Sequence, residues 1–174
     1  MKEVVAASHA NNEELKNQPP TGLFIINIAG ELILQRKPFN HGGSTTYRWE
    51  SPHLPLLPTH ETAHHAAQQL LDTLGIRAEL HEAFTGSSGS SSPRNAQHGR
   101  VIIALTTTEG TDTYRQTHTS SDCKPLALVV SDAHEHPQHY SPWLRTSLEG
   151  VELYLKNLLK QRTLHAHDQQ SLAS

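Results

Sequence analysis

Between residues 22 and 84 the apolar residues change their rhythm twice, and this limits the chain to a fold of mixed strands and helices. "GLFIINIAGELILQRK" (22–37) is two short apolar runs around Ala29-Gly30-Glu31. Runs rich in isoleucine that meet at a glycine predict a hairpin. Over residues 59–74 the period becomes helical. Ala63, Ala66, Ala67, Leu70, Leu71 and Leu74 recur at helical spacing, and Gly75 is a natural stop. "IRAELHEAF" (76–84) then alternates as a strand does. A helix set between sheet segments predicts an α/β sandwich.

The remaining segments fill in this frame. Residues 1–20 are polar, end in Pro19-Pro20 and read as a lead-in. Pro38, Gly42, Gly43, Pro52, Pro55 and Pro58 predict irregular structure over 38–58, with a short strand at Tyr47-Arg48-Trp49. "TGSSGSSSPRNAQHG" (85–99) has the composition of a flexible loop. "RVIIALTTTE" (100–109) predicts a strong strand, and "DTYRQTH" (112–118) a weaker one paired to it around Gly110. "PLALVVS" (125–131) predicts another strand, followed by a histidine-rich turn. Ser141 as N-cap and Pro142 at the first helical position open a long helix. Leu144, Leu148, Val151, Leu155 and Leu158 stripe one face of it. The expectation is one domain over 21–160 and a polar tail over 161–174, and 174 residues suffice for one core.

Charge and composition exclude several classes. The formal net charge is −3, and no basic block or basic helix stands out, so nucleic acid is not an expected partner. No run approaches transmembrane length, and the N-terminus lacks a signal-peptide core, so a soluble cytoplasmic protein with no membrane partner is expected. Cys123 is the one cysteine, which leaves no internal disulfide and no Cys-rich zinc site. The 14 histidines are unusual. Most read as surface residues. His134, His136 and His139 lie close enough in sequence for a pH-sensitive cluster, or for solvated turn residues.

His60-Glu61-Thr62-Ala63-His64 spells the H-E-x-x-H zinc-hydrolase pattern. Histidines at i and i+4 on one helix face share an ion, and the glutamate activates its water. Here Pro58 and Thr59 put His60 in an opening turn, where Thr59 serves as N-cap and Glu61 favours the helix dipole. A third ligand would come from His81, Asp132, His134 or His136. The plain alternative is a helix start.

The right end of the same helix carries a different resemblance. A strand pair ending in Gln35-Arg36, an irregular stretch with Trp49, and a helix ending Leu74-Gly75-Ile76 resemble the Nudix superfamily. Its signature is G-x5-E-x7-R-E-U-x-E-E-x-G-U, with U aliphatic. Ser-Pro-Trp opening the last helix (141–143) is similar to the isopentenyl-diphosphate isomerase branch and its hydrolase relatives. The resemblance covers roughly residues 21–160 and implies an α/β/α sandwich around a mixed sheet. It also implies Mg²⁺ or Mn²⁺ held on carboxylates of the helix and bridging a diphosphate. With Gly75-Ile76 as anchor, the signature's Arg-Glu falls on Gln68-Gln69 and its Glu-Glu on Asp72-Thr73. The earlier Glu falls on His60 and the Gly on Leu54. Asp72 is the one acid left, and Gln68 cannot replace an arginine's charged fork. The isomerase branch places a catalytic cysteine before the box, where Ser51 and His53 stand nearest.

The expected function is therefore a Nudix-fold protein with a depleted metal box. It would be non-catalytic or weakly catalytic, and would bind a nucleotide, another diphosphate-bearing ligand or a protein partner. Arg36, Lys37 and Arg48 are the cations placed to hold a diphosphate. Gly42-Gly43 beside Ser44, Thr45 and Thr46 offers backbone donors, as any polar loop does. A second reading is an active Mg²⁺-dependent hydrolase of a nucleoside diphosphate derivative, with Asp72 joined by Glu61 or Glu82. A third is a zinc hydrolase on His60, Glu61 and His64. Trp143 reads as core or cleft wall, and the serines of 87–92 as loop rather than nucleophile elbow.

Overall fold

The computed structural model describes residues 21–54, 62–86 and 99–172. The lead-in and most of the Gly/Ser segment fall outside them. The elements run β1 (Thr21–Asn27), β2 (Glu31–His41), β3 (Ser44–Glu50), β4 (His53–Leu54), α1 (Ala63–Thr73), β5 (Ala78–Gly86) and β6 (Gly99–Thr106). Then come α2 (Thr108–Thr117), β7 (Ser121–Pro125), α3 (Leu126–Glu135), a 3-10 turn (Pro137–His139) and α4 (Pro142–Leu172). The main path of the sheet is β3-β2-β1-β6-β5, with β4 beside β1 and β7 beside β2. β1 and β6 are parallel, and the other pairs are antiparallel.

Side-chain alternation divides the core into two layers. Leu23, Ile25, Ile33, Ile102 and Ala104 face α1, through Ala63, Ala67 and Leu71, and meet Tyr114 of α2. Phe24, Ile26, Leu32, Leu34, Val101 and Ile103 face α3 and α4, through Val129, Ala133, Leu144, Leu148 and Val151. The architecture is the expected α/β/α sandwich. It also explains why β1 and β6 read as unbroken apolar runs, since both of their faces are covered.

Helix α1 is set by its ends. Thr62 is the N-cap, and its hydroxyl accepts from the His65 amide at 3.1 Å. At the other end Gly75 takes a positive φ of 68°, which a side chain would resist. Gly75 N donates to the Asp72 carbonyl and Ile76 N to the Leu71 carbonyl. These two bonds form a Schellman cap, and its apolar pair, Leu71 with Ile76, is buried in one cluster.

Several expectations need correction. The stretch 112–118 is not a strand but the body of α2, and β6 ends at Thr106. Thr107 caps α2 by accepting from Gly110 N, and Glu109 lies in its first turn. The stretch 125–131 is not a strand either. The strand β7 ends at Pro125, and Leu126, Val129 and Ala133 bury the inner face of α3. The start of α1 falls at Ala63, with Thr62 rather than Thr59 as its cap. The segment expected to be irregular holds a long ribbon, β2 with β3, closed by Gly42 and Gly43 between the paired His41 and Ser44. Both glycines have positive φ, as a two-residue hairpin turn of matching twist requires.

Pro38 fits this ribbon for a geometric reason. Arg36 N points away from β3, to the Ser120 carbonyl at 2.8 Å. Pro38, two residues on, has its nitrogen on that same outer side, beyond the end of the β2–β7 pairing at Gln35. The Ser141 and Pro142 start of α4 is as expected, and the Ser141 hydroxyl accepts from Leu144 N at 3.2 Å. The helix continues to Leu172, through the segment expected to be a polar tail. Among the described residues no helix is long and apolar enough to cross a membrane.

Candidate functional site

The outward face of α1 holds His65, Gln68, Gln69 and Asp72, at i, i+3, i+4 and i+7. Gln68 Nε2 donates to Asp72 Oδ1 at 2.9 Å, and Gln69 Nε2 lies 3.2 Å from the His65 ring. Asp72 is exposed and supplies the one carboxylate of this face. A hard divalent ion that bridges phosphates needs several oxygen ligands. The described residues of this face do not form such a site. His64 is also exposed on α1, whereas His60 and Glu61 lie outside the described residues. His64 is the second residue of α1, two positions after the Thr62 cap.

Glu82 follows Ala78 and Leu80 in alternation along β5, and those two residues pack on the cluster beneath α1. Glu82 therefore shares with Asp72 the side of the sheet that α1 covers. The three cations do not share a side. In β2, Leu32 and Leu34 face α3 and α4, so Arg36 does too, opposite Trp49. Ile33 faces α1, so Lys37 does too, opposite Arg48. Arg36 lies over Tyr47 at 5.0 Å, and Arg48 over Phe39 at 3.9 Å. Lys37 pairs with Glu50 at 3.7 Å. The ribbon thus carries Lys37 and Arg48 on one side and Arg36 on the other.

The positions matched to the isomerase branch are less suggestive. Ser51 is fully buried, and its hydroxyl has no hydrogen-bond partner among the described residues. Cys123 lies on β7, half-buried, with its sulfur 4.0 Å from Glu31 Oε2. Burial, and then the Glu31 carboxylate, push its thiol above the usual range. That environment opposes thiolate formation. Trp143 packs against Phe24 with ring centroids 5.5 Å apart, among the partly buried residues that border the core on that side of the sheet.

Chemistry gathers elsewhere, at the connection between α3 and α4. Asp132, His136 and His139 hold ligand-type atoms within 4.8 Å of one another. Tyr140 is buried, and its hydroxyl donates to Asp132 Oδ2 at 2.5 Å. This bond, and then His136, hold the Asp132 carboxyl below its usual range. Burial, and then the same carboxylate, push the Tyr140 phenol up. His134 is not part of the group, since it faces α4 and pairs with Glu149 at 3.0 Å. In the sequence, Asp132 and His136 are two of the four candidates for a third zinc ligand. Only the 3-10 turn brings His139 to them.

In fold the chain is similar to a mutT/nudix family protein from Listeria innocua, with a TM-score of 0.62. The likeness covers 83% of this chain and 98% of that one, at 12% sequence identity. No protein-family model and no curated protein matches the sequence. The chain has the Nudix fold.

Proposed function

We propose that this chain is a Nudix-fold binding protein that holds a nucleotide or another diphosphate-bearing ligand without hydrolysing it. One observation carries the reading. The outward face of α1 presents Asp72 alone among carboxylates, with amide side chains at Gln68 and Gln69. A diphosphate-bridging Mg²⁺ or Mn²⁺ needs more oxygens than that. Lys37 and Arg48, which share one side of the ribbon, are the cations best placed together for the ligand's charge. The reading places the protein in the cytoplasm, where such ligands are abundant, and leaves room for a protein partner.

The test mixes the full chain with nucleoside diphosphate derivatives, with and without Mg²⁺ and Mn²⁺, and follows thermal unfolding and product release together. A ligand that binds only the folded state raises the unfolding temperature. The expected outcome is a shift without turnover. Metal-dependent turnover that disappears in Asp72→Ala would overturn the proposal. It would favour the second reading, a hydrolase in which Glu82, on the side of the sheet covered by α1, supplements Asp72.

A further inference from the structure

We infer that Asp132, His136 and His139 form a binding site for a late first-row divalent metal ion of the zinc, cobalt or nickel class. This site is separate from α1 and does not depend on the function proposed above. Asp132 lies in the last turn of α3, His136 is the residue that ends that helix, and His139 closes the 3-10 turn. The four-residue step along a helical turn brings Asp132 Oδ1 to 3.0 Å from His136 Nδ1. The His139 ring lies parallel to that of His136, with centroids 5.3 Å apart and planes 9° apart.

A zinc-type ion has bonds of about 2.0–2.2 Å, which puts neighbouring ligand atoms roughly 3–3.5 Å from one another. The three donors already lie within 4.8 Å of one another, and both imidazoles are exposed and can turn to close the rest. The donor set decides the ion. Two imidazoles with one carboxylate suit zinc, cobalt and nickel, whereas magnesium and calcium take oxygen.

A second observation separates this group from a chance surface cluster. Ligating carboxylates in metal sites are commonly fixed by a further hydrogen bond from behind. Here that bond comes from Tyr140, which is 1% exposed and packed among Leu144, Leu148 and the apolar face of β2. It takes Asp132 Oδ2, so that Oδ1 is left toward the histidines. Tyr140 is itself held by a bridge to Trp49, and Ser141 N donates to the Trp49 carbonyl at 3.0 Å. The carboxylate is thus aimed from the core, while the imidazoles come from the surface. Three protein donors leave the ion's remaining positions to water. Bound there, the ion ties the end of α3 to the turn that leads into α4, and both helices cover the same face of the sheet.

The test titrates the chelator-stripped full chain with Co²⁺ and reads its visible absorption, the bound stoichiometry and thermal unfolding. The reference is His136→Ala/His139→Ala, whose positions are exposed and do not support the core. The expected result is a Co²⁺ absorption band and a stabilisation, both present in the wild type and in His64→Ala and both missing from the reference. Tyr140→Phe should weaken binding by about tenfold, as loss of a supporting hydrogen bond does. If that variant does not fold, Asp132→Asn takes its place and should lose the band. Unchanged spectrum and stoichiometry in the double variant would overturn the inference, as would binding that follows His64 instead.

Discussion

The indole of Trp143 lies directly over the backbone of Gly22, so close that a Cβ added at residue 22 would come 1.6 Å from Trp143 Cη2. The first turn of α4 is seated against the first strand through this contact, and Phe24 stacks on the same ring. No side chain fits between them. Gly22→Ala should therefore lower stability by about 1–3 kcal/mol, the usual cost of overpacking. A urea denaturation midpoint measures it. The effect should shrink markedly when Trp143→Leu is combined with Gly22→Ala, since the double variant removes the atoms that collide.

Leu71 should be the most sensitive position of α1. It is fully buried beneath the sheet face, and its carbonyl accepts from Ile76 N in the cap. Leu71→Ala should cost about 2–5 kcal/mol in thermal or urea unfolding. His64→Ala, at an exposed position of the same helix, should change stability by less than about 0.5 kcal/mol.

The ribbon cations should act as two groups. Lys37 and Arg48 are opposite each other on the side of the sheet toward α1, and Arg36 is on the other side. A diphosphate held by the first pair cannot also meet Arg36. Arg48→Ala and Lys37→Ala should each reduce nucleotide-induced thermal stabilisation, and Arg36→Ala should leave it intact. Equal losses in all three variants would point to a general charge effect instead.

How far the sequence carried this picture depends on how local each cause is. Helix α1 was legible because its apolar period and its glycine stop lie within one stretch, Ala63 to Ile76, although its N-cap was not. The strand pair around Gly30 was legible for the same reason. The third helix was not, because Leu126–Ser131 is a short apolar run with two adjacent valines, and strand and helix share that signature. Which period applies is decided by the sheet, which buries Val129 and leaves Leu128 64% exposed. The second helix was missed although Thr107 and Glu109 form its start, because threonine and tyrosine favoured a strand. The opposed directions of Arg36 and Lys37 were in principle readable from alternation, once residues 38–41 were taken as strand. The meeting of Asp132 with His139 was not, since it depends on a 3-10 turn held by Tyr140 in the core.

The same Asp132–Tyr140 bond should leave a mark on the pH dependence of stability. The hydroxyl of Tyr140, and then His136, hold the Asp132 carboxyl below its usual range. A folded value below the unfolded one stabilises fully above the unfolded value of about 3.9, and the effect fades as pH falls through the folded value. The wild type should therefore lose stability more steeply than Asp132→Asn below about pH 4. Tyr140 has the opposite sign, since its folded value is raised by burial and then by the carboxylate. Its contribution is complete below about pH 10 and is lost as pH rises further. Urea midpoints across a pH series, compared with Tyr140→Phe, should show both limbs.

Asp72 gives the sharpest separation between a binding protein and a hydrolase. It lies in the last turn of α1, where the helix dipole disfavours a negative charge, and that turn holds no basic residue. Its carboxylate is otherwise engaged with Gln68 alone among the described contacts. If the acid has no metal to hold, reversing its charge should help the fold. Asp72→Lys should raise stability by about 0.3–1 kcal/mol at low ionic strength, less in high salt, and leave nucleotide-induced stabilisation unchanged. In a hydrolase whose metal sits on Asp72, the same change would abolish both turnover and the extra stabilisation given by Mg²⁺ or Mn²⁺. Unfolding temperatures of the two proteins with nucleotide, with and without each metal, decide between these outcomes.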